Sequence, residues 1–487
     1  MKNIKIAVIV ATLALLSIGG CNFGDTNVNP NSATDAPMNV LLPAAQANLV
    51  YGVHGDISQF NSLLLQHTSG VENIYVTVSQ YDLNANLASR VWNGNLYPGS
   101  MKDLQLVIRK SFQNNSPHYR GVARILMALA LGQIVDLWNN APYSEAFQGD
   151  AASPNFFPAY QPGAVLYDSA QNLLTAAIAD LSAPTSFQSP SRDDLVFRGD
   201  RAAWIRTARA LQARLHNHLS KVDAPGSAQR TLAALDAGTF TTNAQDARIV
   251  FGTAVNTPSP WFAHLSGSFG NGNRVSAFLI NLMQQRNDPR LPFYARRTAA
   301  STFVGSPAGG PINANASLVG PYFNRPDAPA NFITYVEVKF IEAEAALRAG
   351  NNARAATAHN EAVRSSIAKM TVALPTVSLT TDATANAAYI AANASETETS
   401  ISLNKIMTEK YLALFLDPEA WTDWRRSTTA ATPNGIPALT LANNSQTFTQ
   451  GRFPRRWPYP ILEIQTNGAN VQAQGAASIT DRVFWDR

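Results

Sequence analysis

The chain has 487 residues, a formal net charge of +4 and a charged fraction of only 14%, against roughly 25% in average proteins. So small a net charge, with no run of Lys or Arg, gives no electrostatic reason to expect nucleic-acid binding. The length alone would allow two or three domains.

The first twenty residues have the pattern of a signal peptide. Lys2 and Lys5 precede an apolar run from Ile6 to Ile18. This run has signal-peptide length and is too short to span a membrane comfortably. We therefore expect residues 1–20 to be removed on export.

Cys21 is the only cysteine of the chain, so no disulfide can form within it. Together with Ile18, Gly19 and Gly20 it resembles the lipobox of bacterial lipoproteins. The resemblance implies that Cys21 becomes the N-terminal residue and carries acyl chains such as palmitate on its sulfur and its amine. Two or more chains anchor a protein stably in a membrane. The polar residues 21–37 would form the lipidated tether.

The stretch from Gly121 to Trp138 is apolar on every side, which is typical of a buried helix rather than a surface helix. Gln133 and the charges near both ends argue against a membrane span. We expect this helix to end before Pro142, because a residue that precedes proline disfavours the α conformation. It should form the centre of an all-helical domain.

Periodic apolar residues predict that the other helices surround this one. The helices are expected over residues 40–51, 56–70, 90–112, 166–181, 201–220, 333–348, 353–366 and 401–416, with a short one after Asp417. Gly350 should close a helical hairpin similar to one tetratricopeptide-like repeat, although no period of about 34 residues is sustained. Three prolines within residues 452–460 exclude a helix interior and predict an extended strap. Its Arg455 and Arg456 should reach carboxylates or carbonyls.

Several short motifs, in order along the chain, resemble those of the SusD/RagB family, most closely its starch-binding-like branch of outer-membrane lipoproteins. The matching pieces are the lipobox at Cys21, then residues 27–30, 137–138, 141–146, 199–200, Trp204, 211–215, 340–345, 419–421, 423–426 and 452–460, then Glu463, Asn467 and 484–486. No single piece is decisive, but their order and spacing together are specific.

The resemblance implies one all-α dominated domain over residues 38–487, with tetratricopeptide-like helix pairs and long irregular ligand-binding loops. It also implies a lipid-anchored protein on the outer face of the outer membrane. Such proteins act as lids that deliver oligosaccharides to a SusC-like TonB-dependent barrel and do no chemistry themselves. Many members carry an acidic run after the lipid-bearing cysteine as a surface-export signal, whereas here only Asp25 follows closely.

Candidate ligand contacts are aromatic residues in segments without clear periodicity, next to Asn or Arg, because sugars bind to apolar faces beside a few polar groups. Our main hypothesis is that Trp261 is the stacking platform, so that its replacement by alanine would weaken binding without unfolding the protein. Aromatic residues on helical stripes, such as Trp92, Trp138 and Trp204, are expected in the core instead. The other candidate contacts are Asn73, Tyr75, Tyr81, Tyr322, Asn324 and Arg325.

Enzymatic and metal-binding alternatives have little support in the sequence. A glycosidase needs two carboxylates across a cleft, but Glu337, Glu342 and Glu344 belong to one predicted helix. His216 and His218 are two residues apart and do not share a helix face. The resemblance allows a structural calcium, as in some relatives, but no Asp-rich loop of the EF-hand kind supports one here, and no other cofactor is expected. Two other functions remain open, a peptide importer subunit like RagB and a helical scaffold that assembles surface proteins.

Overall fold

α-Helices form most of the protein in the computed structural model, which describes residues 36–149, 153–254, 257–268, 270–371, 381–475 and 477–487. The predicted signal peptide, Cys21 and the tether up to residue 35 lie outside these residues. Met38–Arg487 form one compact unit. The helices of the first half are α1 Met38–Tyr51, α2 Ser58–Leu64, α3 Asn73–Ser79, α4 Ala85–Arg90, α5 Lys102–Gln113, α6 Pro117–Trp138, α7 Gly163–Ser182, α8 Arg201–His218 and α9 Ala224–Asp236. Those of the second half are α10 Pro260–Ser266, α11 Ala277–Gln285, α12 Leu291–Tyr294, α13 Tyr335–Arg348, α14 Asn352–Thr371, α15 Ala383–Asn393, α16 Leu403–Ala413, α17 Glu419–Ser427, α18 Ser445–Thr449, α19 Ile461–Thr466 and α20 Gly468–Gln472.

Helix α6 is the predicted central element. Nearly all of its residues are buried, and it packs against α5, α7 and α8. Among the described helices it alone is long and apolar enough to cross a membrane, and 94% of its apolar window is buried inside the protein. It ends at Trp138, and Asn139 follows with a φ of 71°. These features confirm a core helix.

Consecutive helices pack in pairs, as the fold class predicts. Helix α7 packs on α6, α8 on α7, α9 on α8, and α13 on α9. Helices α13 and α14 form the predicted hairpin around Gly350, whose φ of 77° lies in the left-handed region that favours glycine. Local capping agrees with the sequence, since the Asp200 carboxylate accepts the Ala203 amide at 3.0 Å at the start of α8.

The strands are short and form antiparallel pairs. Strand β1, Thr68–Gly70, pairs with β5, Asn273–Val275, so that Gly70 lies opposite Asn273. The other described strands are β2 Ala141–Pro142 with β3 Tyr160–Gln161, and β4 Ala247–Ile249 with β6 Ala330–Ile333. The β1–β5 pair brings the segment that begins at Asn73 next to the loop after α10, and so joins two of the segments predicted to contact a ligand.

Two predicted helices are wrong in their bounds. Residues 90–112 are divided between α4, a wide π-type segment Val91–Met101 that contains Pro98, and α5. Proline lacks the amide proton that a regular helix interior requires, which explains the interruption. Residues 56–70 are likewise divided, because α2 ends at Leu64 and β1 begins at Thr68.

The extended strap over residues 452–460 is confirmed, and its arginines have the predicted kind of partner. Arg455 donates to both oxygens of Asp486 at 2.7 and 2.6 Å. Arg456 donates to the carbonyl oxygen of Trp138, at the end of α6. Trp138 in turn donates its indole N–H to the Pro458 carbonyl at 2.8 Å. The strap is thereby attached to the central helix.

His67, between α2 and β1, should make the stability of the protein depend on pH. Its Nδ1 accepts the Leu416 amide at 3.2 Å, so the proton is on Nε2, which donates to the Tyr411 carbonyl at 3.1 Å. Burial lowers the pKa of His67 to about 3, whereas an unfolded histidine titrates near 6.5. The unfolded state therefore binds the proton first as the pH falls, and the stability present above about 6.5 is lost below it.

We expect His67 alone to contribute a loss of about 1.4 kcal/mol per pH unit, or about 2 kcal/mol between pH 6.5 and pH 5. Urea unfolding of the wild type and His67→Gln at both pH values measures this loss. The glutamine side chain keeps a donor and an acceptor but does not titrate. The free energy of unfolding should therefore fall more in the wild type than in the variant, and the difference between the two proteins should be smaller at pH 5 than at pH 6.5. Equal losses in both proteins would contradict the assignment.

Candidate ligand-binding surface

The β1–β5 pair brings the first two predicted segments into contact. Gly70 ends β1, and a Cβ there would lie 1.9 Å from the Tyr75 carbonyl oxygen. At Gly272 a Cβ would lie 2.5 Å from the Tyr75 ring. The missing side chain lets α3 pack directly on β1 at Gly70 and on the loop that follows α10 at Gly272. Asn73 and Tyr75 are therefore part of a helix rather than of an irregular segment. Asn73 is exposed, but Tyr75 is only 6% exposed, so the prediction that its ring contacts a ligand is corrected, because the ring packs against Gly272 and His264 and has no open face.

His264 is the centre of this contact. Its Nδ1 lies 3.4 Å from the Tyr75 hydroxyl, and its Nε2 lies 3.0 Å from Nδ2 of Asn273. The rings of Tyr75 and Trp261 both meet the imidazole edge to face, with centroids at 5.2 and 5.7 Å. Burial, together with nearby Arg90, lowers the pKa of His264 to about 4. The ring is therefore neutral near pH 7 and offers one donor and one acceptor.

Trp261 does not have the exposed face that the platform hypothesis requires. It is only 2% exposed, and its indole N–H donates to the Ser58 hydroxyl at 2.9 Å. A sugar ring can stack only on a face that is open to solvent. We therefore correct the prediction, because in this structure Trp261 supports the surface from beneath.

The prediction that Tyr81 contacts a ligand is also wrong. It is fully buried, and its hydroxyl accepts a hydrogen bond from Gln66 Nε2 at 3.1 Å. Its ring lies 6.0 Å from that of Phe453, on the strap. Tyr81 therefore contributes to the core and leaves no face for a ligand.

The third predicted segment lies beside the start of α10. Ser259 donates its amide to the Pro326 carbonyl at 2.7 Å and its hydroxyl to the Arg325 carbonyl at 3.2 Å. Arg325 is 8% exposed and donates to Asp327 at 2.8 Å, while Tyr322 and Asn324 are half-buried. The three predicted segments, around Asn73, Trp261 and Tyr322, are thus neighbours in the structure. Arg325, however, is engaged in an ion pair.

The cavity next to Tyr322 is too small for a sugar. It has a volume of 40 Å³ and is also lined by His54, Lys369 and Asp417. Ligand pockets usually measure roughly 300–1,000 Å³. The side of the surface near Tyr75 and His264 is therefore the better candidate for ligand contact.

Exposed amides and hydroxyls surround the Tyr75–His264 pair. Asn73, Asn271, Ser266 and Ser268 are all exposed, and Phe262 is half-buried beside them. Amides and hydroxyls can donate and accept hydrogen bonds at once, which suits the hydroxyl groups of a neutral sugar. Sequence reasoning missed His264 as the centre of the site, although it lies three residues after Trp261, on the same face of α10.

The buried group Asp136, His218 and Glu419 is the one set of described residues with the ligand types of a metal site. His218 Nε2 contacts Glu419 at 2.6 Å, while Nδ1 lies 2.8 Å from the Tyr167 hydroxyl and 3.7 Å from Asp136. The carboxylates approach opposite ring nitrogens, and each nitrogen already has a hydrogen-bonding partner, although one ligand atom from each residue lies within 4.8 Å of the others. The geometry is that of a buried hydrogen-bond network.

The carboxylates of α13 are also engaged in ion pairs. Arg214 holds Glu337 at 2.6 Å, and Arg426 holds Glu344 at 2.7 Å. Glu342 pairs with Lys339 at 2.7 Å. They do not face one another across a cleft, which is the arrangement that glycoside hydrolysis requires.

Comparison with known proteins agrees with this architecture. A family model described as starch-binding associating with outer membrane, SusD-like, matches residues 30–460. No curated protein matches the sequence significantly.

Solved structures with the same fold cover almost the whole chain. A chitin-binding protein superposes with a TM-score of 0.76 at 23% identity, over 93% of this chain and 100% of its own. A SusD/RagB family protein from Bacteroides thetaiotaomicron gives 0.76 at 20% identity, over 93% and 99%. A chitin-binding SusD homologue from Flavobacterium johnsoniae gives 0.75 at 20% identity, over 92% and 98%. At these identities the similarity establishes the fold.

Proposed function

Because the chain belongs to the SusD-like family, whose model matches residues 30–460, we propose that it is a lipoprotein of the outer membrane, anchored through Cys21, that binds oligosaccharides at the cell surface. It then delivers them, as a lid, to a SusC-like TonB-dependent barrel. The match to a family of starch-binding proteins associated with the outer membrane is the observation that carries this proposal. Two solved structures of the same fold are named as chitin-binding, which favours the same ligand class.

The surface around Tyr75 and His264 is where we place the first ligand contact. It combines the half-buried rings of His264 and Phe262, the first supported by the buried Tyr75, with exposed amides from two segments of the chain, Asn73 and Asn271. A neutral glycan needs this combination of apolar face and hydrogen-bonding groups. His264, at the centre of this surface, is neutral near pH 7, which suits an uncharged ligand.

The partner is tested by isolating the full-length protein from outer membranes in mild detergent and identifying everything retained by mass spectrometry. A large TonB-dependent barrel at equal stoichiometry is the expected result. Trapped glycans would support the proposed ligand class, and trapped peptides would favour a RagB-like importer. A protein recovered alone, with no ligand, would contradict delivery to a barrel.

Replacing Asn271 by alanine should weaken oligosaccharide binding about fivefold, since one hydrogen bond contributes roughly 1 kcal/mol. The measurement is isothermal titration calorimetry of the full-length protein in detergent, with oligomers of N-acetylglucosamine and with maltooligosaccharides. Asn271 is exposed, so the substitution should leave the fold intact.

Asn352→Ala is the matched control. This amide is equally exposed but lies at the start of α14, outside the candidate surface. The oligosaccharide affinity of the Asn352→Ala variant should equal that of the wild type. If both variants bind like the wild type, the ligand lies elsewhere on the protein.

A further inference from the structure

A concave surface lies between α5 and the loop that follows β2, and we call it the α5 groove. It has a volume of 380 Å³, within the usual range of small-molecule sites. It is lined by Gln105, Arg109, Tyr143, Ser144, Ala146, Phe147 and Gln148. Gln105 and Arg109 are four residues apart and so share one face of α5. None of these residues belongs to the surface around Tyr75 and His264.

Phe147 gives the α5 groove a rigid aromatic wall. Its ring lies 5.9 Å from that of Tyr97, which in turn lies 4.7 Å from Trp92, and Trp92 meets the buried Trp138 at 5.0 Å. The half-buried ring is thus supported by a continuous series of aromatic contacts that reaches α6. The φ of Phe147 is 63°, a left-handed conformation that is unfavourable for a non-glycine residue. The surrounding contacts hold the ring in place against this cost.

The polar groups of the α5 groove are mostly uncharged. Gln105, Ser144 and Gln148 are exposed. Among the residues that the structure describes, the hydroxyls of Tyr143 and Ser144 make no hydrogen bond to the protein, and the Gln105 amide also has no such partner. Hydroxyls and amides beside a fixed aromatic ring can contact the hydroxyl groups and the apolar face of a pyranose.

We propose that the α5 groove is a second carbohydrate-binding site, which takes one or two neutral glycosyl units. The proposal rests on the proposed function, because it assumes the same ligand class. A protein with two separate contact sites holds a long glycan more tightly than either site does, since the second contact becomes intramolecular. Short oligosaccharides should instead occupy the two sites independently.

The test is calorimetric titration of the full-length protein in detergent with tetrasaccharides of N-acetylglucosamine and of α-1,4-linked glucose. The wild type should bind two molecules of the preferred tetrasaccharide. Gln105→Ala should weaken one of the two sites about fivefold. Phe147→Ala should remove that site, so that the stoichiometry falls to one.

Gln113→Ala is the matched control, because this glutamine is also exposed on α5 but does not line the α5 groove. It should leave both sites unchanged. A single site that weakens on Asn271→Ala but not on Gln105→Ala would overturn the α5 groove and leave the proposed function standing. Absence of binding to either sugar series by the wild type would overturn both.

Discussion

Replacement of Arg426 by alanine should lower the free energy of unfolding by about 3–5 kcal/mol, because it leaves buried carboxylates without their cation. Arg426 is fully buried on α17 and donates to both oxygens of Glu344, on α13, at 2.7 and 2.9 Å. It also donates to Asp423 and to the Asn217 carbonyl of α8, the latter at 3.1 Å. One guanidinium group therefore joins three helices.

The charge state of Glu344 shows why the loss should be large. Burial alone would raise the pKa of this carboxyl, but the guanidinium groups of Arg426 and Arg348 hold it well below its usual range. Glu344 is therefore ionised in the folded protein at neutral pH. Without Arg426 it must remain charged with less compensation or take up a proton, and either change destabilises the fold.

Arg348→Ala provides the control, since Arg348 also contacts Glu344, at 2.9 Å, but is 21% exposed. Its loss should cost less than that of Arg426, because the Arg348 guanidinium is partly solvated and Glu344 keeps both hydrogen bonds to Arg426. Urea unfolding followed by circular dichroism at pH 7 measures both variants. Similar losses in the two variants would show that the buried position of Arg426 does not matter.

Trp261→Ala is the second substitution with a large expected effect, and its effect should be on stability. Alanine would leave a cavity where a 2%-exposed indole packs and would remove the hydrogen bond to Ser58. Such truncations typically cost about 3–5 kcal/mol. The folded fraction of the variant should bind glycans only modestly less well, through displacement of His264, whose ring contacts the indole.

The neighbouring Phe262 supplies the control, because it is half-buried on the same helix. Phe262→Ala should change the stability much less, and any loss of glycan affinity would identify it as the stacking ring on this side of the surface. Urea unfolding gives the stability, and calorimetry on the folded protein gives the affinity. A Trp261→Ala protein of wild-type stability that no longer binds glycans would restore the platform hypothesis.

The two candidate sites follow one physical rule. In each, a half-buried ring is held by an aromatic neighbour, His264 by Tyr75 and Phe147 by Tyr97, and mostly uncharged polar groups surround it. Rings that are already ordered lose little conformational entropy when a ligand binds. Glycan binding by this protein would therefore also depend on residues that hold the contacting rings in place but do not themselves touch the ligand.

Local signals explain what could be predicted from the sequence. The uniform apolarity of α6, the prolines of residues 452–460 and the glycine at position 350 each restrict the backbone regardless of distant partners. These signals were sufficient to predict the central helix, the strap and the hairpin. The order of the short motifs indicated the family, and the match of the family model to residues 30–460 confirms it.

The tertiary structure alone decided which aromatic residues are buried and which charges are paired. Trp261 and Phe262 are adjacent in an apparently irregular segment, yet the first packs under Ser58 and the second is partly exposed. Whether a side chain in such a segment is exposed depends on elements some two hundred residues away, as the Ser58–Trp261 bond shows. Sequence periodicity describes neighbours along one helix, whereas burial and ion pairing are set by contacts between helices. The candidate ligand surface could therefore be described only from the folded protein.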